Sequence, residues 1–287
     1  VQVAFAFIMV GIALKAAIYP LHLWLPNAYT FAPSSVSIFL AATATKMSVY
    51  ILLRFMYSVF GSTFLSNGIF LEVIVLPLSV LAMFGASINA IFQNNLKRML
   101  AYSSVAQIGY IMLGTIFLTE TGLMATIVHL FNHGITKAAL FMGVACYVMQ
   151  NGGVTYTNLY GMGKIMPWTS TAVIIAAFSL IGIPGTAGFI SKWLLIQAAL
   201  NIGWWPIALL VVGSSLLAVI YVWRLVEILY FQKHSEKTEQ KDVPLKFLIP
   251  LWTLSLSCIY FGLATDITLG ASRSAAESFL SGLSGIS

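Results

Sequence analysis

The sequence predicts an all-α, polytopic membrane protein with about eight transmembrane helices in a single membrane domain, 1–287. Of its 287 residues, 60% are hydrophobic and only 8% are charged, whereas a soluble domain carries about 25% charged residues. The apolar residues also form runs that reach the roughly 20 residues a bilayer-crossing helix needs. The net charge of +6 comes from scattered residues rather than a basic patch, so no nucleic-acid partner is predicted.

Eight apolar segments are the predicted spans: 1–19, 34–58, 70–92, 99–118, 122–149, 168–200, 206–231 and 246–265. Prolines at 20, 26 and 33 end the first segment. The polar stretch FQKHSEKTEQKDVP separates the last two and is predicted to be a solvated loop. The first apolar run begins without a methionine or a basic leader, so we expect no signal peptide. We also expect the chain to be a fragment or a split gene product.

The sixth predicted span is too long for one straight helix and is expected to be broken. It contains four helix-weakening residues, Gly182, Pro184, Gly185 and Gly188. Broken helices are tolerated in membranes where the freed backbone groups face protein or water, and in transporters they mark ion sites. A proline kink that serves packing alone is the alternative.

The basic residues predict the orientation. If the spans alternate, loops 20–33, 93–98, 150–167 and 232–245 share one side of the membrane. These loops and their flanks hold half of the 14 Lys and Arg residues, namely Lys97, Arg98, Lys164, Lys233, Lys237, Lys241 and Lys246. Basic residues collect on the cytoplasmic side, so both termini are predicted to lie on the non-cytoplasmic side of the cell inner (plasma) membrane. The opposite side holds Arg273, with Arg54 near the end of its span.

Four lysines fall inside or near the middle of predicted spans: Lys15, Lys46, Lys137 and Lys192. A charged lysine at the bilayer centre costs about 2.5–3.5 kcal/mol. Four such lysines would cost on the order of 10 kcal/mol, comparable to the net stability of a whole domain. Snorkelling to the membrane surface is an alternative for Lys15 and Lys192, but Lys46 and Lys137 are too central for it. We therefore predict a functional role for these lysines.

Histidines extend this pattern. In the stretch HLFNHGITK, His129, His133 and Lys137 are spaced i, i+4 and i+8, which places them on one helix face with Asn132 and Thr136 alongside. This stripe is expected to line a water path, although a hydrogen-bonded structural role is the alternative for His129. Another histidine, His22 in PLHLWLP, is expected near the membrane surface, where it could cap a loop or receive protons.

These residue types favour proton transfer. The sequence has no phosphate-binding loop, no nucleophile with a matching base, and no clustered metal ligands, and Cys146 and Cys258 stand apart. No catalytic residue, metal or cofactor is therefore predicted. Two charged groups about 8 Å apart interact by roughly 2 kcal/mol at an effective dielectric constant near 20, so charging one lysine can discharge its neighbour.

The predicted proton relay consists of Lys15, Lys46, His129, His133, Lys137 and Lys192. Accessory roles are considered for His22, Glu72, Arg224 and Glu227. The i, i+3 spacing of Arg224 and Glu227 predicts a structural ion pair. Glu72 is expected either to lie at the membrane surface or to balance a lysine.

Four motifs follow one another along the chain: LKAAIYPLHLWLPNAYTFAPSSVSIFLAATATKMSVYILLRF, NNLKRMLAYSSVAQIGYIMLG, HLFNHGITKAALF and GIPGTAGFISKW. In this order they resemble the antiporter-like membrane subunits shared by Mrp-type Na⁺/H⁺ antiporters, respiratory complex I and membrane-bound hydrogenases. The resemblance is strongest to the D subunits of the Mrp-type antiporters.

This resemblance implies two inverted five-helix repeats, of which the chain would hold the end of the first (1–60), the second (70–231), and the final helix with a C-terminal tail (246–287). It also implies that the six relay residues match a line of protonatable groups and water running along the membrane plane. Members of this family carry a glutamate that pairs with the lysine matching Lys15. That glutamate has no counterpart in this sequence, so a separate polypeptide or further sequence would supply it.

Three functions are compatible with these features. The favoured one is a membrane subunit of a multisubunit monovalent cation/proton antiporter, with other membrane subunits as partners and protons and Na⁺ or K⁺ as the transported ions. The alternative is a proton-pumping subunit of a redox complex, either NADH:quinone oxidoreductase or membrane-bound hydrogenase. In neither case is the chain expected to be an enzyme by itself. The third function, an inert anchor, does not explain four buried lysines.

Overall fold

The computed structural model describes residues 2–61, 64–65, 70–233 and 241–281, and every regular element in these ranges is helical. The all-α prediction is therefore confirmed. The helices are α1 (Gln2–Ala16), α2 (Trp24–Phe31), α3 (Ser34–Phe60), α4 (Leu71–Ile91), α5 (Leu96–Ile116), α6 (Glu120–Asn151), α7 (Tyr156–Leu159), α8 (Met162–Ile165), α9 (Pro167–Ile181), α10 (Ala187–Asn201), α11 (Trp205–Tyr230), α12 (Leu245–Leu263) and α13 (Asp266–Ser281).

Five of these helices, α3, α4, α5, α11 and α12, are long and apolar enough to cross a membrane, and a sixth span results if residues 156–165 and α9 are counted together. Helix α6 has 32 residues, but its polar stripe lowers its apolarity. The polytopic membrane fold is confirmed, while the count of eight spans stays a prediction.

Helices α5 and α6 form the centre of the molecule. Helix α5 is buried along almost its whole length, and α6 packs against α3, α5, α9, α10, α12 and α13. Both helices begin at side-chain caps, which satisfy backbone N–H groups that lack an intrahelical partner. The Asn95 side chain accepts from the Arg98 backbone at 3.2 Å, and Thr119 accepts from Gly122 at 3.1 Å.

The predicted break in the sixth span is confirmed. Helix α9 ends at Ile181 and α10 begins at Ala187. Two glycines in the connection have left-handed backbone angles, with φ of +89° at Gly182 and +85° at Gly185. Residues that carry a side chain rarely adopt these backbone angles. Glycine therefore allows the chain to leave α9 and turn directly into α10.

Four helices lie in segments for which the sequence predicted none, and two of them, α7 and α8, are single turns within the predicted loop 150–167. Helix α2 occupies part of the predicted loop 20–33, with Pro26 in its first turn, where the missing N–H costs nothing. Helix α13 lies in the predicted tail, and its buried Ala276 and Phe279 face inward. Its Arg273 pairs with Glu120 at 3.4 Å. A search for long apolar runs does not detect an amphipathic helix, because such a helix has no such run.

The structure buries one basic residue used for the predicted orientation. Lys97 lies in the first turn of α5, at the flank of loop 93–98 as predicted, but it is only 7% exposed and its ammonium donates to the carbonyl of Ala32 at 3.1 Å. A cation there stabilises the C-terminal end of α2. Lys237, another residue of that prediction, lies outside the described residues.

Candidate functional site

One face of α6 carries the predicted polar stripe into the centre of the molecule. His129 and His133 are 2% and 4% exposed, and Lys137 is fully buried. The Lys137 ammonium donates to the Leu100 carbonyl at 2.8 Å and to the Ser103 hydroxyl at 2.5 Å, both on α5. The stripe therefore faces protein rather than lipid, as the relay prediction requires.

Lys192 lies at the helix break. Its ammonium donates to the carbonyls of Ile181 and Leu180, at 2.7 and 3.3 Å. These are among the last carbonyls of α9, which lack intrahelical partners and form the negative end of the helix dipole. The ammonium also lies 4.8 Å from the ring centroid of Tyr110. The break thus places the Lys192 ammonium against the C-terminal end of α9. A proline kink that served packing alone would not explain this contact.

His129 connects α6 to the helices on either side. Its Nδ1 lies 2.8 Å from the Ser191 hydroxyl on α10, and its Nε2 lies 2.9 Å from the Gln107 side-chain oxygen on α5. Ser191 precedes Lys192 in sequence, so His129 contacts the residue next to the lysine at the break. Since both ring nitrogens are hydrogen-bonded, the structural reading of His129 also fits these contacts.

His133 lies between the two ends of this line. Its ring centroid is 6.1 Å from that of His129, and it lies in the electrostatic field of Lys46, Lys137, His129 and Lys192. Neither of its ring nitrogens has a hydrogen-bond partner among the described residues, and the same holds for the side-chain oxygen of Asn132. Both residues line a cavity of about 10 Å³, which is roughly the space one water molecule needs. Because buried polar groups are nearly always hydrogen-bonded, this cavity is the natural place for a bridging water.

Lys46 lies at the edge of the cluster. Its side chain is half-buried, and its ammonium donates to the carbonyl of Ala41. Ala41 belongs to a widened, π-helical turn, Leu40–Ala44, a feature frequent at functional sites. Lys46 lines an apolar groove of about 510 Å³ between α3 and α6, and its charge acts on both His133 and Lys137.

Lys15 and Glu72 do not join the cluster. Lys15 is exposed in the last turn of α1, and Glu72 is exposed in the first turn of α4. A lysine near a helix end can extend to the membrane surface, so the snorkelling alternative fits Lys15 in this structure. Its predicted relay role stays a prediction.

His22 is buried away from the α6 stripe. It is 4% exposed, stacks on Tyr19 with ring centroids 4.9 Å apart, and contacts Tyr102 on α5 edge-on. Its Nδ1 has no hydrogen-bond partner among the described residues. Both of its predicted roles therefore stay open.

The predicted ion pair between Arg224 and Glu227 is wrong. The Arg224 guanidinium instead donates to the Ile91 carbonyl at 2.5 Å and to the Asn94 side chain at 2.9 Å, and it lies over the ring of Tyr156. Ile91 ends α4, so its carbonyl lacks an intrahelical partner and attracts the donor. Arg224 therefore fastens the α4–α5 loop to α11.

The sequence prediction did not identify Ser103, Gln107 and Tyr110 as members of the site. They are spaced i, i+4 and i+7 in YSSVAQIGY, which places them on one helix face. This periodicity was the available signal. The periodicity identifies these residues as part of the site only once α5 is known to pack against α6.

The chain resembles known proteins over most of its length. A family model described as "NADH:quinone oxidoreductase/Mrp antiporter, TM" matches residues 1–218. The chain belongs to this family. The matched region includes every predicted relay residue and the helix break, so the site lies within the part of the chain that the family shares.

Similar proteins include NADH-quinone oxidoreductase subunit N of Desulforudis audaxviator, 36% identical over 93% of this chain and 55% of the relative. The F(420)H(2) dehydrogenase subunit N of Methanosarcina mazei is 31% identical over 91% of this chain and 54% of the relative. The chain therefore spans about half the length of these curated relatives.

Among solved structures, the Mrp complex from Dietzia sp. DQ12-45-1b matches with a TM-score of 0.89 and 27% identity, over 98% of this chain and 60% of the other. The membrane-bound sulfane sulfur reductase, an archaeal respiratory membrane complex, matches with a TM-score of 0.86 and 30% identity, over 98% of this chain and 56% of the other. The antiporter-like fold is thereby confirmed.

Proposed function

We propose that this chain conducts protons as a membrane subunit of a multisubunit monovalent cation/proton antiporter. The observation that carries the proposal is the buried line from Lys137 through His133 and His129 to Ser191 and Lys192. The line joins the fully buried lysine on α6 to the lysine held at the helix break.

Imidazole suits the middle of such a line because one ring nitrogen can accept a proton while the other releases one. A water in the cavity beside His133 would connect its unpartnered nitrogens to neighbouring groups. Protons could then pass along α6 without movement of the backbone.

The lysines supply the coupling. Two unit charges 6 Å apart interact by about 3 kcal/mol at an effective dielectric constant of 20. The rings of His129 and His133 are separated by 6.1 Å, so a positive charge on one opposes a positive charge on the other, and protonated Lys137 or Lys46 acts on His133 in the same direction. A proton arriving at one end of the line favours release at the other, and an ion gradient can drive this exchange.

The likeness to the Dietzia Mrp complex supports the antiporter assignment. On this basis the partners are other membrane subunits of a hetero-oligomeric complex, and the exchanged cation is Na⁺ or K⁺. We place the chain in the plasma membrane, with residues 2 and 281 on the non-cytoplasmic side, as the basic residues predict. Residues 1–60 would end the first repeat, 70–231 would form the second, and 246–287 would hold the final helix and tail.

A redox-driven proton pump is the second candidate. The sequence relatives from Desulforudis audaxviator and Methanosarcina mazei are subunits of an NADH-quinone oxidoreductase and an F(420)H(2) dehydrogenase. In such a complex the same line would move protons, but electron transfer in other chains would drive it.

Everted membrane vesicles that contain the complete complex separate these candidates. We expect Na⁺ or K⁺ added to vesicles with a preformed pH gradient to collapse that gradient, as followed by a pH-sensitive dye. Vesicles from cells that lack this chain are the control. Proton movement that requires a reduced electron donor would favour the redox pump, and a response to neither would contradict both proposals.

A further inference from the structure

Asp242, in the second half of the loop 232–245, is fastened to the beginning of α9. One carboxylate oxygen accepts from the backbone N–H groups of Trp168 and Thr169, at 2.9 and 3.2 Å. The other accepts from the Thr169 hydroxyl at 2.5 Å and from the Val243 backbone at 2.9 Å. Val243 is only 3% exposed. In the described end of this loop, Val243 is buried and Asp242 is half-buried, whereas Lys241 and Pro244 are exposed, so the predicted solvated loop is solvated only in part here.

This contact satisfies an electrostatic need of α9. The first N–H groups of a helix have no intrahelical partner and form the positive end of its dipole, where a carboxylate is stabilising. The residue preceding α9, Met166, has no side-chain capping bond of its own. Asp242 thus acts as a cap supplied from a loop more than 70 positions away in sequence.

Two further contacts hold the same end in place. The Tyr147 hydroxyl on α6 lies 2.8 Å from the Ser170 hydroxyl, and the Gln150 side chain donates to the Lys241 carbonyl at 2.9 Å. The beginning of α9 and the Asp242 loop are therefore both fastened to α6, the helix that carries the histidines.

The opposite end of α9 holds Lys192. The helix has 15 residues, or about 22 Å at 1.5 Å per residue, and its carbonyls at Leu180 and Ile181 accept from the lysine ammonium. Because no glycine or proline interrupts residues 168–181, we expect the helix to move as a unit. A shift or tilt at the Asp242 end changes the position of the carbonyls at the other end.

We propose that Asp242 is a positioning residue for Lys192, acting through α9 by fixing the location of the Leu180 and Ile181 carbonyls. The carboxylate at the beginning of α9 and the ammonium at its end complement the helix dipole at both termini. The proposal rests on the proposed transport function, because Lys192, the residue that Asp242 would position, is the last residue of the proposed relay.

The test uses Asp242→Ala, Asp242→Asn and Asp242→Glu in the assembled complex in vesicles. We expect Asp242→Ala to lower the rate of proton exchange roughly fivefold to tenfold, consistent with the loss of a charged helix cap. Asp242→Asn should fall between Ala and the wild type, because it keeps an acceptor oxygen but loses the charge. Asp242→Glu should restore most of the rate.

Asp266→Asn is the matched control. Asp266 is an exposed carboxylate in the first turn of α13, away from the beginning of α9. We expect this variant to exchange protons at the wild-type rate.

Hydrogen–deuterium exchange of peptides covering residues 178–190 provides a readout that does not depend on transport. Faster exchange at the helix break in Asp242→Ala, reversed in Asp242→Glu, would support the positioning role even if the transported ion were misassigned. Unchanged transport and unchanged amide exchange in Asp242→Ala would overturn the proposal. Equal losses in all three variants, without recovery in Asp242→Glu, would overturn it as well, because a general folding defect would then explain the result.

Discussion

Replacing Lys192 with alanine is expected to reduce proton exchange by roughly 100-fold, the scale of loss typical of removing a proton-transfer group. Lys192 is 5% exposed and forms the end of the buried line at the helix break. The variant should still assemble, because removing a buried charge relieves its desolvation cost and α10 remains apolar. The carbonyls of Leu180 and Ile181 would lose a donor, at a cost of about 1–3 kcal/mol each.

The measurement is cation-driven dye response in everted vesicles, normalised to the amount of complex. Lys164→Ala is the control, because Lys164 is exposed on α8 and should tolerate the change. Lys192→Arg should also fail, since a guanidinium keeps its charge and does not release a proton. Near-normal exchange in Lys192→Ala would contradict the assigned role.

Gly188→Ala is expected to destabilise the protein by about 1–3 kcal/mol or more, as overpacked sites do. A Cβ atom at this position would overlap the backbone oxygen of Ser179 and lie 2.9 Å from its carbonyl carbon. Both contacts are to backbone, so no side-chain rotation relieves them. Helices α9 and α10 would have to separate, which would disturb the carbonyl site for Lys192.

Thermal unfolding of the detergent-solubilised complex tests this expectation. Gly270→Ala on α13 is the matched control, because no atom lies within 4 Å of the position that its Cβ atom would take and alanine favours a helix over glycine by up to about 1 kcal/mol. We expect a lower melting temperature for Gly188→Ala and an unchanged or higher one for Gly270→Ala. Equal melting temperatures for Gly188→Ala and the wild type would show that the helices are less closely packed than described.

The fold was predictable where the local sequence decides the structure. A run of Gly182, Pro184 and Gly185 inside an apolar segment allows few backbone solutions, so the helix break could be placed before any tertiary contact was known. Helix α13 could not be predicted from apolar length, because its burial depends on packing against α6.

The candidate site was predictable along α6 and not across the helices. The i, i+4, i+8 spacing places the two histidines and Lys137 on one face wherever the helix lies. The partners of His129, Gln107 and Ser191, come from α5 and α10. The spacing of Gln107 with Ser103 and Tyr110 marks one face of α5 but does not say which helix that face packs against. Arg224 shows the same limit. Glu227, one turn away, was its expected partner, but the guanidinium donates instead to the Ile91 carbonyl at the end of α4.

Charge in a polar loop was the least predictable feature. Asp242 lies in a stretch whose composition indicates solvation, yet it caps a helix about 75 residues earlier in the chain. Capping by a distant residue leaves no spacing pattern in the sequence. Only the folded arrangement connects Asp242 to α9 and, through α9, to Lys192.

The connection of His129, His133 and Lys137 into one relay is tested most directly by a cryo-EM map of the assembled complex at a resolution that shows ordered water. We expect a water in the cavity beside His133, within hydrogen-bond distance of a His133 ring nitrogen and the Asn132 side-chain oxygen. A dry, closely packed gap around His133, with no ordered water reaching either ring nitrogen, would contradict proton transfer along this face of α6.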